Sequence, residues 1–96
     1  MKYKIAIAYQ GGVVFECVTD TFLYLEGVAA LISADEKLAN TLYGAIIKAA
    51  VADRAAWKSE LHIATGEMVL THPDEIVMTN KPSTENQTNG PAFYSR

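Results

Sequence analysis

The chain has 96 residues, half of them hydrophobic, which suits a single globular domain that folds without disulfide bonds. Eight Lys and Arg against eleven Asp and Glu give a formal net charge of −3, and the cations form no run. Proteins that bind nucleic acid non-specifically concentrate positive charge on one face, so this balance speaks against that function. The apolar segment 21–32 is too short to cross a bilayer and contains Glu26, so we expect no membrane partner.

The N-terminal segment is predicted to form a β-hairpin. Large apolar side chains occupy every second position of 3–9 and alternate again in 13–19, and Gly11 and Gly12 between them suit a tight turn. Cys17 lies in the second strand among apolar residues, where a thiol is usually an inert, small hydrophobe. Because it is the only cysteine, and because no hydrophobic signal segment opens the sequence, we expect a cytoplasmic protein.

Residues 20–32 fit two structures. Asp20 can cap a short helix, whereas the composition of 21–25 is that of a β-strand. The helix is the favoured interpretation, and it would cover one side of the segment that follows. If a strand stood here instead, a second copy of the chain would become the expected cover, and the protein would be a homodimer.

Residues 33–58 are predicted to form one long central helix around which the rest of the chain is organised. Ser33 and Glu36 have the spacing of a capping box, and Asp35 adds negative charge to the first turn. Gly44 lowers helix stability by about 1 kcal/mol relative to Ala. The close approach of a neighbouring element would explain why a glycine is present there.

This predicted helix has two apolar faces at 100° per residue. An alanine-rich face, which includes Leu38 and Leu42, is expected to rest on the sheet. The opposite, bulkier face is formed by Tyr43, Ile47, Val51 and Trp57. We expect this second face to be covered by the preceding short helix, by a second copy of the chain or by a partner protein.

The C-terminal part of the chain changes from helical to alternating periodicity. Segments 60–65, 67–71 and 75–79 each alternate, and turn residues separate them, which predicts a three-stranded meander. Together with the hairpin, this gives an antiparallel sheet of about five short strands packed on the long helix, an α+β fold. We expect a single domain over 1–80 and a polar tail over 81–96.

The tail ends in two aromatic residues, Phe93 and Tyr94. An extended segment with a terminal aromatic anchor can add a strand to a partner protein or fill a pocket on it. We therefore predict that both residues contact a partner.

Candidate chemistry is confined to the C-terminal meander, where two registers of the first hairpin are open. A two-residue turn points His62 and His72 to opposite faces of the sheet, whereas a three-residue loop brings both beside Glu60. The second register would suit a small metal-dependent or acid–base enzyme that also uses Asp74. Because the spacing matches no established ligand signature, we assign no catalytic residue, no metal and no cofactor.

A nucleic-acid interface is the other alternative. Lys48, Arg54 and Lys58 are expected on the exposed part of the long helix, with Asp53 and Glu60 beside them. A helix that reads nucleic acid usually has a denser basic face, so nucleic acid is a disfavoured partner.

The favoured hypothesis is a non-enzymatic protein-binding module that forms a homodimer. It would inhibit or regulate a host or partner protein, as small acidic chains of phages and mobile elements do. The apolar excess on one helix and the aromatic-ended tail motivate this hypothesis. The predicted partner contacts are Tyr43, Ile47, Val51, Trp57, Phe93 and Tyr94.

Overall fold

The computed structural model describes residues 2–83, which adopt the predicted α+β fold. Within this range five antiparallel strands form one sheet. The strands are β1 (Tyr3–Tyr9), β2 (Gly12–Thr19), β3 (Lys58–His62), β4 (Glu67–His72) and β5 (Ile76–Pro82). The helices are α1 (Leu25–Ala34), α2 (Glu36–Ala39) and α3 (Leu42–Ala52), followed by a 3-10 turn at Arg54–Ala56.

The sheet has the strand order β2-β1-β5-β4-β3, so the predicted hairpin and the predicted meander are joined by antiparallel pairing of β1 with β5. Tyr3 lies opposite Pro82 and Tyr9 opposite Ile76 in this pairing. Strand β5 therefore continues past residue 80, where the sequence placed the end of the domain. Just beyond it, the Ser83 N–H donates to the Lys2 carbonyl at 2.9 Å.

The core lies between the helices and one face of the sheet. Strands β1 and β5 alternate, so Ile5 and Ile7 share this face with Ile76 and Met78. These side chains are buried, and most of them pack against the apolar faces of the helices. The helical members of this cluster are Val28, Ile32, Leu38, Ile47, Ala50 and Val51.

Residues 20–32 adopt the helical alternative, although the helix begins only at Leu25. Val28 and Ile32 of α1 are buried in the same cluster as Ile47 and Val51 of α3. Helix α1 packs beside α3 near Val51, but the bulky face of α3 lies towards the sheet, since Tyr43 lies beside Tyr9 of β1 and Trp57 beside His72 of β4. The alanine-rich face was expected to rest on the sheet, and that expectation was wrong, because Leu42, Ala45, Ala49 and Ala52 are exposed. Before the helix, Leu23 is held by the buried Asn80, whose side-chain amide donates to the Leu23 carbonyl at 2.8 Å.

The prediction of one continuous helix over 33–58 was wrong. Ser33 lies in the last turn of α1, and Asp35 is the residue that caps α2, accepting from the Leu38 N–H at 2.9 Å. Thr41 caps α3, because its hydroxyl accepts from the Gly44 N–H at 2.9 Å and donates to the Leu38 carbonyl at 2.7 Å. Short polar side chains offer the backbone these alternatives to a continuous helix, so the chain turns twice.

Candidate protein-binding surfaces

The structure places two of the predicted partner contacts inside the molecule. Ile47 is completely buried, and Val51 is almost so. Both belong to the core cluster between the helices and the sheet. A folded chain therefore cannot offer these two side chains to a partner, and we leave them out of the candidate surfaces.

Trp57 is partly buried and has a structural contact. Its indole N–H donates at 2.8 Å to the Ala50 carbonyl, which also accepts from the Asp53 N–H at the C-terminal end of α3. Its ring lies 5.2 Å from that of His72. Trp57 thus ties the end of α3 to strand β4. The other predicted aromatic contacts, Phe93 and Tyr94, lie outside the described residues.

Tyr43 is the predicted contact that the structure leaves at the surface, with 48% of its area exposed. The Thr41 cap starts α3 next to the β1–β2 hairpin, so Tyr43 in the first helical turn lies beside Tyr9, with 5.7 Å between ring centroids. Leu42 at the start of α3 and Val13 in β2 are also exposed. A leucine in a helical pattern usually indicates core, and for that reason the sequence assigned Leu42 to the sheet-facing side.

These elements enclose an open depression of about 390 Å³, which we call the Tyr43 cleft. It is lined by Val13, Val14, Phe15, Asp35, Lys37, Leu38, Thr41 and Tyr43. Neighbouring residues of a regular strand point to opposite faces, yet Val13 and Val14 both line this cleft. The register of β1 against β2 shifts between Ile7 and Ala8, and this bulge redirects the start of β2.

The Tyr43 cleft combines apolar, aromatic and charged side chains. Its floor is apolar, a half-exposed tyrosine stands at its rim, and two opposite charges, Asp35 and Lys37, lie at one side. Interfaces between proteins combine an apolar centre that contains aromatic anchors with a polar, hydrated rim. Sequence analysis identified Tyr43 but missed Val13, because a strand valine gives no signal of its exposure.

A second apolar surface lies on the helix face of β3 and β4. An open groove of about 280 Å³, which we call the Tyr24 groove, is lined by Phe22, Leu23, Tyr24, Leu25, Glu26, Arg54, Ser59, Met68 and Leu70. Leu61, the cross-strand neighbour of Met68, is exposed next to it. Glu26 forms an ion pair with Arg54 at one end of the groove. A hydrogen bond from its own backbone N–H and the Arg54 guanidinium lower the pKa of Glu26.

The histidines do not form a common site. His62 pairs with Glu67 across a four-residue turn at 63–66, which matches neither of the two expected registers. Because strand faces alternate, His62 lies on the open face of the sheet, and His72 lies on the helix face. Among residues 2–83 no group of three or more His, Cys, Asp or Glu side chains is arranged to hold a metal ion.

His72 is buried and already used by the fold. Its Nδ1 accepts from the Asp74 N–H at 3.1 Å, so the neutral ring carries its proton on Nε2. Nε2 lies 3.6 Å from the Asp53 carboxylate, which is too far for a hydrogen bond. The ring is only 7% exposed, and it lines a small open pocket together with Ala56, Lys58, Thr71 and Pro73. Burial likewise raises the pKa of the Cys17 thiol, which keeps it protonated and weakly nucleophilic.

The three cations considered for nucleic acid are dispersed. Lys48 lies on α3, Arg54 lies in the 3-10 turn and is paired with Glu26, and Lys58 begins strand β3. Since α3 ends at Ala52, one helix cannot present all three, and that part of the prediction was wrong. None of the helices between residues 2 and 83 has the length and apolarity needed to span a bilayer.

Comparisons with models of protein families, with curated proteins and with solved structures found no match to this chain. A function can therefore be argued only from the surfaces described above. Of these, the Tyr43 cleft combines an aromatic rim with an apolar floor, and it contains a residue that the sequence had already singled out.

Proposed function

We propose that this chain is a non-enzymatic protein-binding module that holds an apolar segment of a partner protein in the Tyr43 cleft. The observation that carries the proposal is the exposure of Tyr43 beside Val13, above a floor formed by Phe15 and Leu38. Contact between this apolar surface and water is unfavourable. Its burial by an apolar side chain of a partner therefore lowers the free energy. Tyrosine loses little conformational entropy when it anchors an interface.

We propose further that the module acts by occupying its partner, as an inhibitor or a regulator in the cytoplasm. A small domain can block a surface of its partner simply by binding to it. The exposed apolar side chains of this domain lie on paired strands, which hold them in place for such binding. The free thiol of Cys17 is compatible with a reducing compartment. A regulator of phage or mobile-element type, directed at a host protein, fits the small size and the acidic composition of the chain.

The test compares a tyrosine in the cleft with a tyrosine outside it. Tyr43 is 48% exposed in the cleft, whereas Tyr24 is 71% exposed at the other apolar surface. We would prepare the full chain, tagged, as wild type, Tyr43→Ala and Tyr24→Ala, and capture proteins from a lysate of its natural host, with mass spectrometry as the readout. Circular dichroism would first establish that all three proteins are folded, because a variant that has unfolded says nothing about contacts.

We expect a partner that the wild type and Tyr24→Ala retain and Tyr43→Ala loses. The affinity of the purified pair should fall at least about tenfold on Tyr43→Ala, since truncation of an aromatic anchor commonly costs about 2 kcal/mol or more. Equal retention by Tyr43→Ala would place the binding surface elsewhere. If the folded wild type at tens of micromolar captures nothing specific, the proposal of a binding module is contradicted.

A further inference from the structure

We propose that two copies of this chain associate through strand β3, so that their sheets join edge to edge. The proposal concerns a surface other than the Tyr43 cleft, because that cleft lies against β2 at the opposite edge of the sheet. A dimer joined at β3 would leave both clefts open, and it would present two of them to a partner. Two linked sites raise the overall affinity for a repeated or dimeric partner.

The first argument is that β3 is a fully exposed edge strand that lacks two of the usual protections, a bulge and a proline. All five of its residues are exposed, and its pairing with β4 runs in one unbroken register from Lys58 to His62. The other edge strand, β2, carries a bulge that interrupts its pairing with β1. Bulges and prolines are devices that keep edges from pairing with further strands, and β3 has neither of them.

The second argument is that exposed apolar side chains flank this edge. Leu61 on the helix face of β3 is 57% exposed, and Ile63 at the start of the following turn is 87% exposed. Tyr24 projects from the wall of the adjoining Tyr24 groove and is also exposed. A strand added to β3 would direct alternate side chains towards this groove, because strand faces alternate. Strand addition therefore removes these apolar groups from water in addition to pairing the edge.

The third argument identifies the occupant as a second copy, because the polar side chains on the open face of β3 complement each other across a two-fold axis, an imidazole N–H being able to donate to a carboxylate. Antiparallel pairing centred on Glu60 would set two like carboxylates opposite each other, which is unfavourable. Pairing centred on Leu61 instead sets each Glu60 opposite His62 of the second copy, and Leu61 opposite Leu61. Within one chain, His62 Nε2 already lies 3.3 Å from Glu60 Oε1, so the two groups have the reach for such a pair.

A third register, centred on Ser59, would set Lys58 opposite Glu60 of the second copy. It would leave Leu61, which is 57% exposed, outside the paired segment, because its counterpart would be Trp57, which precedes β3. The register centred on Leu61 pairs the two Leu61 residues with each other and brings the exposed Ile63 next to the paired segment. We therefore assign the two-fold axis to Leu61.

The association is measured by sedimentation equilibrium of the full chain between about 5 and 200 μM, together with Leu61→Lys and Val18→Lys. Val18 is the matched control, because it is 50% exposed on β2 at the opposite edge. We expect a monomer–dimer equilibrium that Leu61→Lys weakens at least tenfold and that Val18→Lys leaves unchanged. A wild-type chain that remains monomeric throughout this range overturns the proposal, as does a dimer that only Val18→Lys disrupts.

The register is tested by charge exchange at positions whose side chains are largely exposed, so that the fold of the monomer is little disturbed. Glu60→Lys should weaken the dimer, because it replaces the acceptor opposite His62 by a cation, and the double variant E60K/H62E should restore it, because opposite charges then face each other across the axis. Rescue by E60K/K58E instead would overturn the axis at Leu61 in favour of Ser59. Neither measurement involves the partner at the Tyr43 cleft, so failure here is distinguishable from failure of the proposed function.

Discussion

Replacement of Gly44 by alanine is expected to destabilise this protein, although the same change stabilises most helices. Gly44 is a buried residue in the first turn of α3, where alanine would normally gain about 1 kcal/mol over glycine. A Cβ atom at this position would lie 1.8 Å from the Leu38 carbonyl oxygen and 2.7 Å from its carbon. Both atoms belong to the backbone of α2, so no rotation of a side chain can relieve the contact.

The size of the destabilisation by Gly44→Ala depends on the displacement of the Leu38 carbonyl. The Leu38 carbonyl accepts from the Thr41 N–H at 3.1 Å and from its hydroxyl at 2.7 Å, and it must retreat from the new methyl group. Two hydrogen bonds worth about 1 kcal/mol each are put at risk. Overpacking of a closely packed site adds about 1–3 kcal/mol. After subtraction of the helical gain, the free energy of unfolding should fall by about 2–4 kcal/mol.

Gly27→Ala in α1 is the matched control. A Cβ atom there would lie 3.0 Å from Leu23 Cδ2 and 3.3 Å from Leu23 Cβ, so it meets a side chain that must shift by a few tenths of an ångström and no backbone carbonyl. We expect a change of less than about 1 kcal/mol in either direction. Urea unfolding followed by circular dichroism would measure both variants against the wild type. If Gly44→Ala proves as stable as the wild type, the close approach of α2 to α3 is refuted.

Two further predictions concern single polar contacts. Asn80→Ala should lower the free energy of unfolding by about 1–3 kcal/mol, because it leaves the Leu23 carbonyl without its donor. Thr79→Ala, on the open face of the same strand, is the control and should have a smaller effect in the same urea titration. Glu26 has a lowered pKa in the folded chain, so its contribution to stability is present above the pKa of the unfolded chain and is lost as the pH falls through the folded value. Glu26→Gln should therefore be less stable than the wild type at pH 7, and the difference should vanish in strong acid; a difference that persists there would contradict this linkage.

The candidate surfaces were only partly accessible to sequence analysis. Tyr43 was identified because a tyrosine in a helical stripe stands out, but Ile47 and Val51 in the same stripe proved to be core. Periodicity reveals which residues share a face, and it does not reveal what covers that face. The sheet lies against this stripe, as the contacts of Tyr43 with Tyr9 and of Trp57 with His72 show, and the alanine-rich face that was expected there is exposed instead. For the same reason the exposure of Leu42 could not be predicted from its position in the helix.

The sequence by itself determined the α+β class, the hairpin at 3–19 and the three strands that end the described chain. These features depend on local signals, namely alternation with period two and turn residues between the segments. Tertiary contacts decided the rest. The helix predicted over 33–58 divides at Thr41, because α2 folds back so closely on α3 that only a glycine fits at position 44. Local periodicity does not encode the pairing of β1 with β5, which joins segments distant in sequence, and this pairing leaves β3 at the edge of the sheet. It also does not encode the register at His62, which depends on the geometry of the turn.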